Sequence, residues 1–359
     1  MSNLKVIFLT SSPSCKGGIA SVFRTISLEL KKKNIDVFYT YDGGNNFIEY
    51  LPKYIRFFFL LRKYKIIHLN TPLSKGSIIR DLPYVLLCIV FRKKFIVHFH
   101  GGDEFFLNEI KNSKLYRFIL SKTFFKANKI IVLGSMFIDL YSEIANVKTE
   151  NWVVMPNPVD NVFFKQNKVK KITNKTKINI LYLSRIDHKK GCEIAIRTFG
   201  LLQREELNNY NVSFVLNVCG DGPLLSEMKN LVQNESIKNI KFHGYVKDFQ
   251  KQKQFIENDI YLFPTYFGEG LPVSILEAMA FGLPIITRPV AGIPDWIKEN
   301  INGFLIKSKN PKDFKEVILG LVKNPSNYSL ISKNNIRLAQ DNFMPINIVN
   351  SYINLYNHV

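Results

Sequence analysis

Short apolar runs alternate with longer segments of mixed polarity along most of the chain. Apolar runs bounded by polar turns are typical of strands that are buried on both faces of a parallel sheet. The segments between them have the composition of covering helices, so the pattern predicts an α/β fold. The runs are LKVIFLT, IDVFYT, IIHLN, FIVHFHG and KIIVLG in the first half, and INILYLS, SFVLNVCG, IKFHGYV, DIYLFPT, LPIITR and GFLI in the second.

A lysine-rich segment, KQNKVKKITNKTK, separates the two series of runs and contains six lysines and no acidic residue. Such a change of composition is typical of a linker region. A chain of 359 residues also exceeds the length at which one hydrophobic core usually keeps growing. We therefore predict two doubly wound, Rossmann-like domains over residues 1–160 and 161–340, and an amphipathic helix within residues 341–359.

The chain has 49 basic and 29 acidic residues, which gives a net charge of +20 and favours acidic partners. The basic residues are spread over both domains and no recognised nucleic-acid motif is present, so we expect no nucleic-acid partner. From Tyr50 to Arg80 there are seven basic residues and no acid, with the apolar run FFFLL between them. A basic, aromatic-rich helix over residues 50–65 suits an anionic membrane surface. A buried helix with solvated basic ends is the alternative.

The four cysteines are scattered without a Cys-x-x-Cys pair or a nearby pair of histidines, which favours free thiols in a reducing cytosol and argues against a zinc site. The longest apolar run, LPYVLLCIVF, has about half of the roughly 20 residues that a spanning helix needs. We expect a cytoplasmic protein, peripheral at the inner face of the cytoplasmic membrane if the basic helix binds lipid, with no metal and no cofactor.

Two loops of the first domain follow predicted strands, where ligands of open α/β sheets bind. In SPSCKGGIA, Gly17 and Gly18 allow close approach to a ligand, and the next helix offers unpaired N–H groups; a simple turn is the alternative. In VHFHGGD, His98 and His100 lie on the same side of a strand, and His100 is nearer to the loop. A histidine at a strand end can bind substrate, whereas a core histidine bonded to backbone is the commoner case.

Two loops of the second domain carry stronger candidates. LYLSRIDHKKG places Arg185 and Lys190 directly after a strand, where two cations can converge on a diphosphate. In YFGEGLPVSILEAMAFG, Glu269 lies in the exit loop of a strand and Glu277 faces outward from the following helix. The backbone amides of Gly270, Leu271 and Val273 can hold a diphosphate at this helix N-terminus. The same eight-residue spacing between Glu227 and Glu235 lacks such a loop, so spacing alone predicts nothing.

These motifs together resemble the group 1, or family 4, retaining glycosyltransferases of the GT-B fold. The resemblance covers the KGG loop, HGGD, MPNPVD, LSRIDHKKG, CGDGP, FHGYV and the block from FPTYFGEGLP through EAMAFGLPIITRPVAGIPDWI to NGFLI. It implies two Rossmann-like domains that face a cleft, with the acceptor at the first domain and the nucleotide-sugar at the second. It also implies that the C-terminal helix crosses back to the first domain.

The resemblance implies roles for individual residues. Arg185 and Lys190 would neutralise the donor diphosphate, with the amides of Leu271 and Val273 completing that site. Glu269 would hold hydroxyls of the transferred sugar, Glu277 would bind the ribose, and Tyr245 would pack near the base. His100 would lie near the reaction centre, and Gly17 and Gly18 would allow close approach of donor phosphate or acceptor. The family's Glu-Gly-Phe-Gly loop has Leu271 and Pro272 here in place of Phe-Gly, which removes one amide donor and stiffens the turn.

The implied reaction is a metal-independent hexosyl transfer with retention, from a UDP- or GDP-sugar to a saccharide. The acceptor would be lipid-linked, as in bacterial surface polysaccharide synthesis such as that of O-antigen, capsule or lipopolysaccharide. The cations and the helix N-terminus would stabilise the charge that grows on the leaving diphosphate. A nucleotide-sugar epimerase or phosphorylase of similar fold is the closer alternative, and a basic nucleic-acid-binding protein is the more distant one. Base, sugar and acceptor are not encoded in these motifs.

Overall fold

The computed structural model of the protein describes residues 5–15, 18–43, 47–165, 168–204, 212–266 and 270–359. The chain divides into two compact units. The N-terminal unit comprises Met1–Pro158, Gly268–Leu271 and Met344–Val359, and the C-terminal unit comprises Val159–Phe267 and Pro272–Phe343.

The N-terminal unit contains a parallel sheet with helices between successive strands. Its strands are β1 (Val6–Ser11), β2 (Asp36–Tyr41), β3 (Ile66–Leu73), β4 (Lys94–Gly102), β5 (Lys129–Val132) and β6 (Trp152–Val154). Its helices are α1 (Gly18–Lys32), α2 (Phe47–Leu60), α3 (Lys75–Val90), α4 (Glu104–Asn112), α5 (Lys114–Lys122), α6 (Ser135–Ala145) and the C-terminal α14 (Pro345–Asn357).

The C-terminal unit repeats this architecture. Its strands are β7 (Lys177–Leu183), β8 (Ser213–Cys219), β9 (Ile240–Gly244), β10 (Ile260–Phe263), β11 (Ile285–Thr287) and β12 (Gly303–Leu305). Its helices are α7 (Cys192–Arg204), α8 (Leu225–Asn234), α9 (Asp248–Glu257), α10 (Val273–Ala280), α11 (Ile293–Trp296), α12 (Pro311–Lys323) and α13 (Pro325–Asn342). Among the described residues every predicted strand is present, and β6 is a strand that the apolar pattern did not predict.

The strand order shows where, in each sheet, the chain reverses the direction in which it adds strands. The order is β2-β1-β3-β4-β5-β6 in the N-terminal unit and β12-β11-β10-β7-β8-β9 in the C-terminal unit, with parallel pairing throughout the described strands. The first strand of each unit therefore has a neighbour on each side, and the chain winds outward from it in both directions. In such sheets the loops at the carboxyl ends of these central strands form the ligand crevice.

Helix α14 completes the hydrophobic core of the N-terminal unit. Tyr352 and Tyr356 are almost fully buried, and their core cluster includes Phe8 of β1 and Ile26 of α1. Tyr356 OH lies 2.7 Å from Nδ1 of His68 on β3, so a polar contact also fixes the helix on the sheet. The last helix of the chain therefore belongs to the unit that is built from the first residues.

The lysine-rich segment predicted as a linker is packed onto the C-terminal unit where the structure describes it. Lys170 Nζ donates to Ile256 O at 2.8 Å and to Asn258 O at 2.6 Å, and Lys170 N donates to Ser332 Oγ at 2.8 Å. The expected divisions after residues 160 and 340 lie after Pro158 and Phe343 in the structure. Val159 N donates to Phe343 O at 2.8 Å, which holds both residues in the C-terminal unit.

None of the helices in the described ranges combines the length and apolar character that crossing a bilayer requires.

Candidate functional site

The exit loops of β7 and β10 meet at the switch point of the C-terminal sheet. Gly191 has a φ of +76°, and a Cβ atom there would lie 2.2 Å from Pro264 O, so only glycine allows this approach. Tyr266 N donates to Lys189 O at 2.9 Å, and Thr265 Oγ1 donates to the same carbonyl at 3.2 Å. The loop that carries Arg185 and Lys190 is thus fixed against the end of the neighbouring strand.

The two predicted cations differ in their surroundings. The Arg185 side chain is 68% exposed, and its Nε lies 3.4 Å from Oδ2 of Asp187. Lys190 is half-buried, and burial lowers the pKa of its ammonium group to about 8, with Arg185 lowering the pKa further and Asp187 opposing both effects. Because an anion would favour the charged form of Lys190, this loop is suited to binding a phosphate group.

The first turn of α10 lies beside the same loop. Tyr261 OH donates to Leu183 O at 2.9 Å and lies 2.8 Å from Ser274 Oγ, which ties the end of β7 to the start of α10. Pro272 is the N-cap residue and provides no side-chain cap for α10. The first amides of a helix have no intrahelical acceptor, so Val273 N–H and its neighbour are available to an anionic ligand.

Glu277 does not face outward as the sequence predicted. It is 5% exposed, and Lys251 Nζ of α9 lies 2.6 Å from its Oε1 and 2.5 Å from its Oε2. Burial raises the pKa of the Glu277 carboxyl, and Lys251 lowers it. The apolar residues on either side of Glu277 in α10 are buried too, so the whole of this helix face packs inside the unit.

Other predicted donor residues are described only in part. Glu269 and Gly17 lie outside the described residues, so their predicted roles stay predictions. Gly18 begins α1, and a Cβ atom there would meet nothing within 4 Å, so close approach of a ligand also stays a prediction. Tyr245 follows β9 and is 74% exposed.

Gly270 and Leu271 are grouped with the N-terminal unit. Leu271 O accepts a hydrogen bond from Asn157 Nδ2 at 2.8 Å, and a Cβ atom at Gly270 would lie 2.6 Å from Leu133 Cδ1. These contacts fix Gly270 and Leu271 against other residues of the N-terminal unit.

The two histidines of β4 lie on one face of the sheet, as the strand alternation predicts. Their ring centroids are 3.9 Å apart, and His98 is buried whereas His100, at the strand end, is half-buried. Burial lowers the pKa of His98 well below its usual value and that of His100 to about 4, so both rings are neutral at pH 7. His98 Nδ1 lies 3.3 Å from Tyr352 OH, which makes it a core residue, while His100 is the ring nearer to the loop.

Sequence reasoning missed Asn70 and Lys251. Asn70 ends the run IIHLN, where a polar residue after an apolar run was a usable signal, and its Oδ1 lies 3.0 Å from His100 Nε2. Lys251 lies in a polar helix with other lysines, and its sequence position gave no signal that it contacts Glu277. Within the described residues no group of three His, Cys, Asp or Glu side chains could hold a metal ion.

Comparison with known proteins places these features in context. Residues 163–338, which apart from Gly268–Leu271 belong to the C-terminal unit, match the family model described as glycosyl transferases group 1. The chain is 27% identical over 310 residues to the uncharacterized glycosyltransferase MJ1069 of Methanocaldococcus jannaschii, covering 81% of this chain and 75% of that protein. It is also 27% identical over 150 residues to the amylovoran biosynthesis glycosyltransferase AmsK of Erwinia amylovora, covering 40% of this chain and 36% of that protein.

Among solved structures, the chain resembles Anabaena Alr3699/HepE, crystallised in complex with UDP, with a TM-score of 0.75 at 15% identity. The likeness covers 99% of this chain and 100% of that one. It confirms the predicted fold class, two doubly wound α/β domains of the GT-B type. The family match and the names of the relatives support a glycosyltransferase role for this chain.

Proposed function

We propose that the protein transfers a hexose from a nucleotide-sugar to a saccharide acceptor, with retention of anomeric configuration. The observation that carries the proposal is that the Arg185–Lys190 loop and the first turn of α10 lie side by side at the switch point of the C-terminal sheet. Two cations, together with helix amides that have no acceptor within the helix, lie at the carboxyl ends of neighbouring strands and form a site for a diphosphate. Glu269 supplies a carboxylate that accepts hydrogen bonds from sugar hydroxyls. The resemblance assigns the ribose to Glu277, whose carboxylate is buried and paired with Lys251 in this structure.

The proposed mechanism follows from charge. Cleavage of the bond between the anomeric carbon and the diphosphate oxygen releases a nucleoside diphosphate, and negative charge grows on its phosphate groups as the bond breaks. Arg185, Lys190 and the N-terminus of α10 stabilise that charge without a metal ion. The sugar becomes oxocarbenium-like, and the acceptor hydroxyl attacks from the face that the diphosphate leaves, which retains the configuration. The hydroxyl proton passes to the departing diphosphate oxygen as the new glycosidic bond forms. His100 of β4 is the residue of the N-terminal unit to which the family resemblance assigns a role near the reaction centre.

The donor is a UDP- or GDP-sugar in this proposal. HepE, which shares the fold of this chain, was crystallised with UDP, and this supports a UDP-sugar as the donor. A thermal-shift panel of UDP-, GDP- and ADP-sugars tests it, since a ligand at 100 times its Kd adds roughly 2.7 kcal/mol of stability. Incubation of each stabilising donor with saccharide acceptors then separates transfer from isomerisation or phosphorolysis, and the anomeric proton coupling of the product reports retention.

Variants of the site decide whether it performs the transfer. Lys190→Ala and Glu269→Ala should each lower turnover by orders of magnitude, roughly 100-fold or more. Lys189→Ala is the matched control, because its exposed side chain lies beside Lys190 while its backbone carbonyl keeps the bonds to Thr265 and Tyr266. Near-normal turnover in Lys190→Ala would contradict the proposed site, and activity that survives EDTA supports metal independence.

The acceptor in this proposal is a growing saccharide on a lipid carrier, in the synthesis of a bacterial surface polysaccharide. The relative AmsK supports it, because its name assigns it to biosynthesis of the polysaccharide amylovoran. We further propose that the N-terminal unit docks on an anionic membrane surface, where such an acceptor would lie.

The docking surface is an apolar groove between α2 and α3. Its volume is about 590 Å³, and Ile55, Phe58 and Phe59 of α2 face Leu86 and Val90 of α3 across it, with Tyr54, Pro83 and Leu87 completing the lining. Phe59 and Val90 are each 71% exposed. An apolar patch of this kind on a globular protein indicates an interaction site.

Basic residues at one end of the groove favour a membrane as its occupant. The ring centroids of Phe58 and Phe91 are 5.4 Å apart, so the loops after α2 and α3 lie side by side. These loops carry Arg62, Lys63, Lys65, Arg92 and Lys93, and Lys94 follows as the first residue of β4. Apolar side chains beside a cluster of cations match the acyl region and the anionic headgroups of a bilayer.

Sedimentation with vesicles tests this docking surface. We expect binding to phosphatidylglycerol vesicles at low salt, weaker binding at high salt, and little binding to pure phosphatidylcholine. Phe59→Ser with Val90→Ser should abolish binding, whereas Leu330→Ser, at an exposed apolar residue of α13, should leave it unchanged. Vesicle binding that the groove variant retains, or a dimer that this variant dissociates without any vesicle binding, would contradict the proposal.

A further inference from the structure

A hydrogen-bond chain joins three strands of the N-terminal unit at the half-buried histidine of β4. Asn70 of β3 is 3% exposed, its Nδ2 donates to Leu9 O of β1 at 3.1 Å, and its Oδ1 lies 3.0 Å from His100 Nε2. A backbone carbonyl can only accept a hydrogen bond, so the amide nitrogen of Asn70 must face Leu9. The amide oxygen of Asn70 therefore faces the imidazole.

This orientation determines which ring nitrogen carries the proton. An amide oxygen is an acceptor, so the hydrogen bond at 3.0 Å exists only if His100 Nε2 bears hydrogen. In a neutral ring the lone pair then lies on Nδ1. Because His100 is neutral at pH 7, this is the state that a substrate meets.

A second amide lies near the ring. Asn157 Nδ2 donates to Leu271 O at 2.8 Å, and Asn157 Oδ1 is buried without a hydrogen-bond partner among the described residues. Asn157 raises the pKa of His100, which is the effect of an acceptor on the protonated ring, although burial has the larger, opposite effect. The protonated ring would thus have a nearby acceptor that is otherwise unsatisfied among the described residues.

We propose that Asn70 is a positioning residue that fixes neutral His100 as the Nε2–H tautomer and leaves Nδ1 as the atom where the ring gains or loses a proton. Neutral Nδ1 then accepts a hydrogen bond from a hydroxyl group and donates none. This consequence for a sugar substrate rests on the proposed function, whereas the tautomer itself does not.

Long-range proton–nitrogen NMR of the full-length protein measures the tautomer directly. At pH 7 we expect the His100 signals of an Nε2–H ring, and in Asn70→Leu we expect a mixture of tautomers or the Nδ1–H form. Asn151→Leu is the matched control: it also loses an amide bond to a carbonyl, that of Ala127 at 2.6 Å, but should leave the His100 signals unchanged. A wild-type Nδ1–H ring would overturn the proposal, and so would an unchanged spectrum in Asn70→Leu.

Asn70→Asp keeps the side-chain shape and places a carboxylate beside Nε2. It should raise the pKa of His100, because a nearby anion favours the imidazolium form. Within the described ranges, the titratable ring in contact with His100 is His98 on the same strand. His98 in turn contacts His68 of β3 and Tyr352 of α14. An unchanged His100 titration in Asn70→Asp would count against the proposal.

Kinetics separate the inference from the proposed function. With a donor and acceptor that the wild type uses, Asn70→Leu should lower kcat by about tenfold or more, while the KM for the donor changes little. A wild type that transfers no sugar would overturn the proposed function and leave the NMR result to decide the tautomer. A lower Tm in Asn70→Leu with wild-type spectrum and kcat would mean a purely structural role and would overturn the inference.

Discussion

Lys251 Nζ lies within 2.6 Å of both carboxylate oxygens of Glu277, so a cation from α9 holds the acid that the family resemblance assigns to ribose binding. The two side chains are 24% and 7% exposed, and Lys251 Nζ also lies 5.7 Å from the ring centroid of Phe163. The pair is thus mostly removed from water, where an unpartnered carboxylate is costly.

Removal of the lysine alone should destabilise the C-terminal unit. Lys251→Met leaves the Glu277 carboxylate buried without its cation, and we expect a loss of about 3 kcal/mol of unfolding free energy. Combining it with Glu277→Gln should restore most of that loss, as a double-mutant cycle by urea denaturation would reveal. The same cycle on Lys253 and Glu257, an exposed pair of α9 at 3.7 Å, should give a coupling below about 0.5 kcal/mol. Equal coupling in the two pairs would contradict this prediction.

Nucleoside diphosphate binding should weaken as the pH rises through about 8. Burial lowers the pKa of Lys190 to about 8, so the free protein loses this charge above that pH and must regain a proton to bind the anion. We expect Kd, measured by calorimetry with UDP or GDP, to rise by up to about tenfold per pH unit above pH 8. Lys190→Arg should remove the dependence, because a guanidinium group stays charged there. A flat wild-type profile between pH 7 and about 10 would exclude Lys190 from the site.

The N-terminal unit should lose stability in mild acid. Burial lowers the pKa of His68 to about 3 and that of His100 to about 4, while the unfolded chain has the ordinary value near 6.5. As the pH falls below about 6.5, the unfolded state binds protons that the folded state does not bind. Each ring therefore lowers the free energy of unfolding by about 1.4 kcal/mol per pH unit until the pH reaches its folded pKa.

Thermal unfolding between pH 4 and 7 measures this dependence. His68→Leu should flatten the slope by the contribution of one proton. The wild-type slope retained in His68→Leu would show that this ring titrates normally in the folded protein.

A methyl group at Gly191 should disturb both stability and the phosphate site. Gly191→Ala places Cβ 2.2 Å from Pro264 O at a φ of +76°, so the two exit loops must separate. We expect a cost of about 1–3 kcal/mol from backbone strain, with weaker nucleotide binding because Lys190 shifts with its loop. Gly320→Ala in α12, where a Cβ atom meets nothing within 4 Å, should stabilise by about 0.5–1 kcal/mol. Unaltered nucleotide affinity in Gly191→Ala would show that the loop position is unimportant for binding.

The sequence allowed the fold and the loops of the site to be predicted because both depend on local patterns. Parallel strands bury both faces and produce short apolar runs, and the loops after β7 and β10 follow directly from those runs. The position of Glu277 depends instead on which face of α10 packs inside, and its partner Lys251 lies 26 residues earlier in the chain. The lysine-rich segment was misread for a related reason: the half-buried Lys170 donates hydrogen bonds to carbonyl groups of residues that are distant in sequence.

The docking of α14 on the first sheet affects the order in which the two units can complete their folding. The core around Phe8 and Ile26 is closed by Tyr352 and Tyr356, which the ribosome adds only after the complete second sheet. Domains usually fold as units during synthesis, beginning at the N-terminus. Here the C-terminal unit can finish folding while the earlier unit still exposes the apolar patch that α14 covers, so the N-terminal core is completed only when the last residues of the chain have been synthesised.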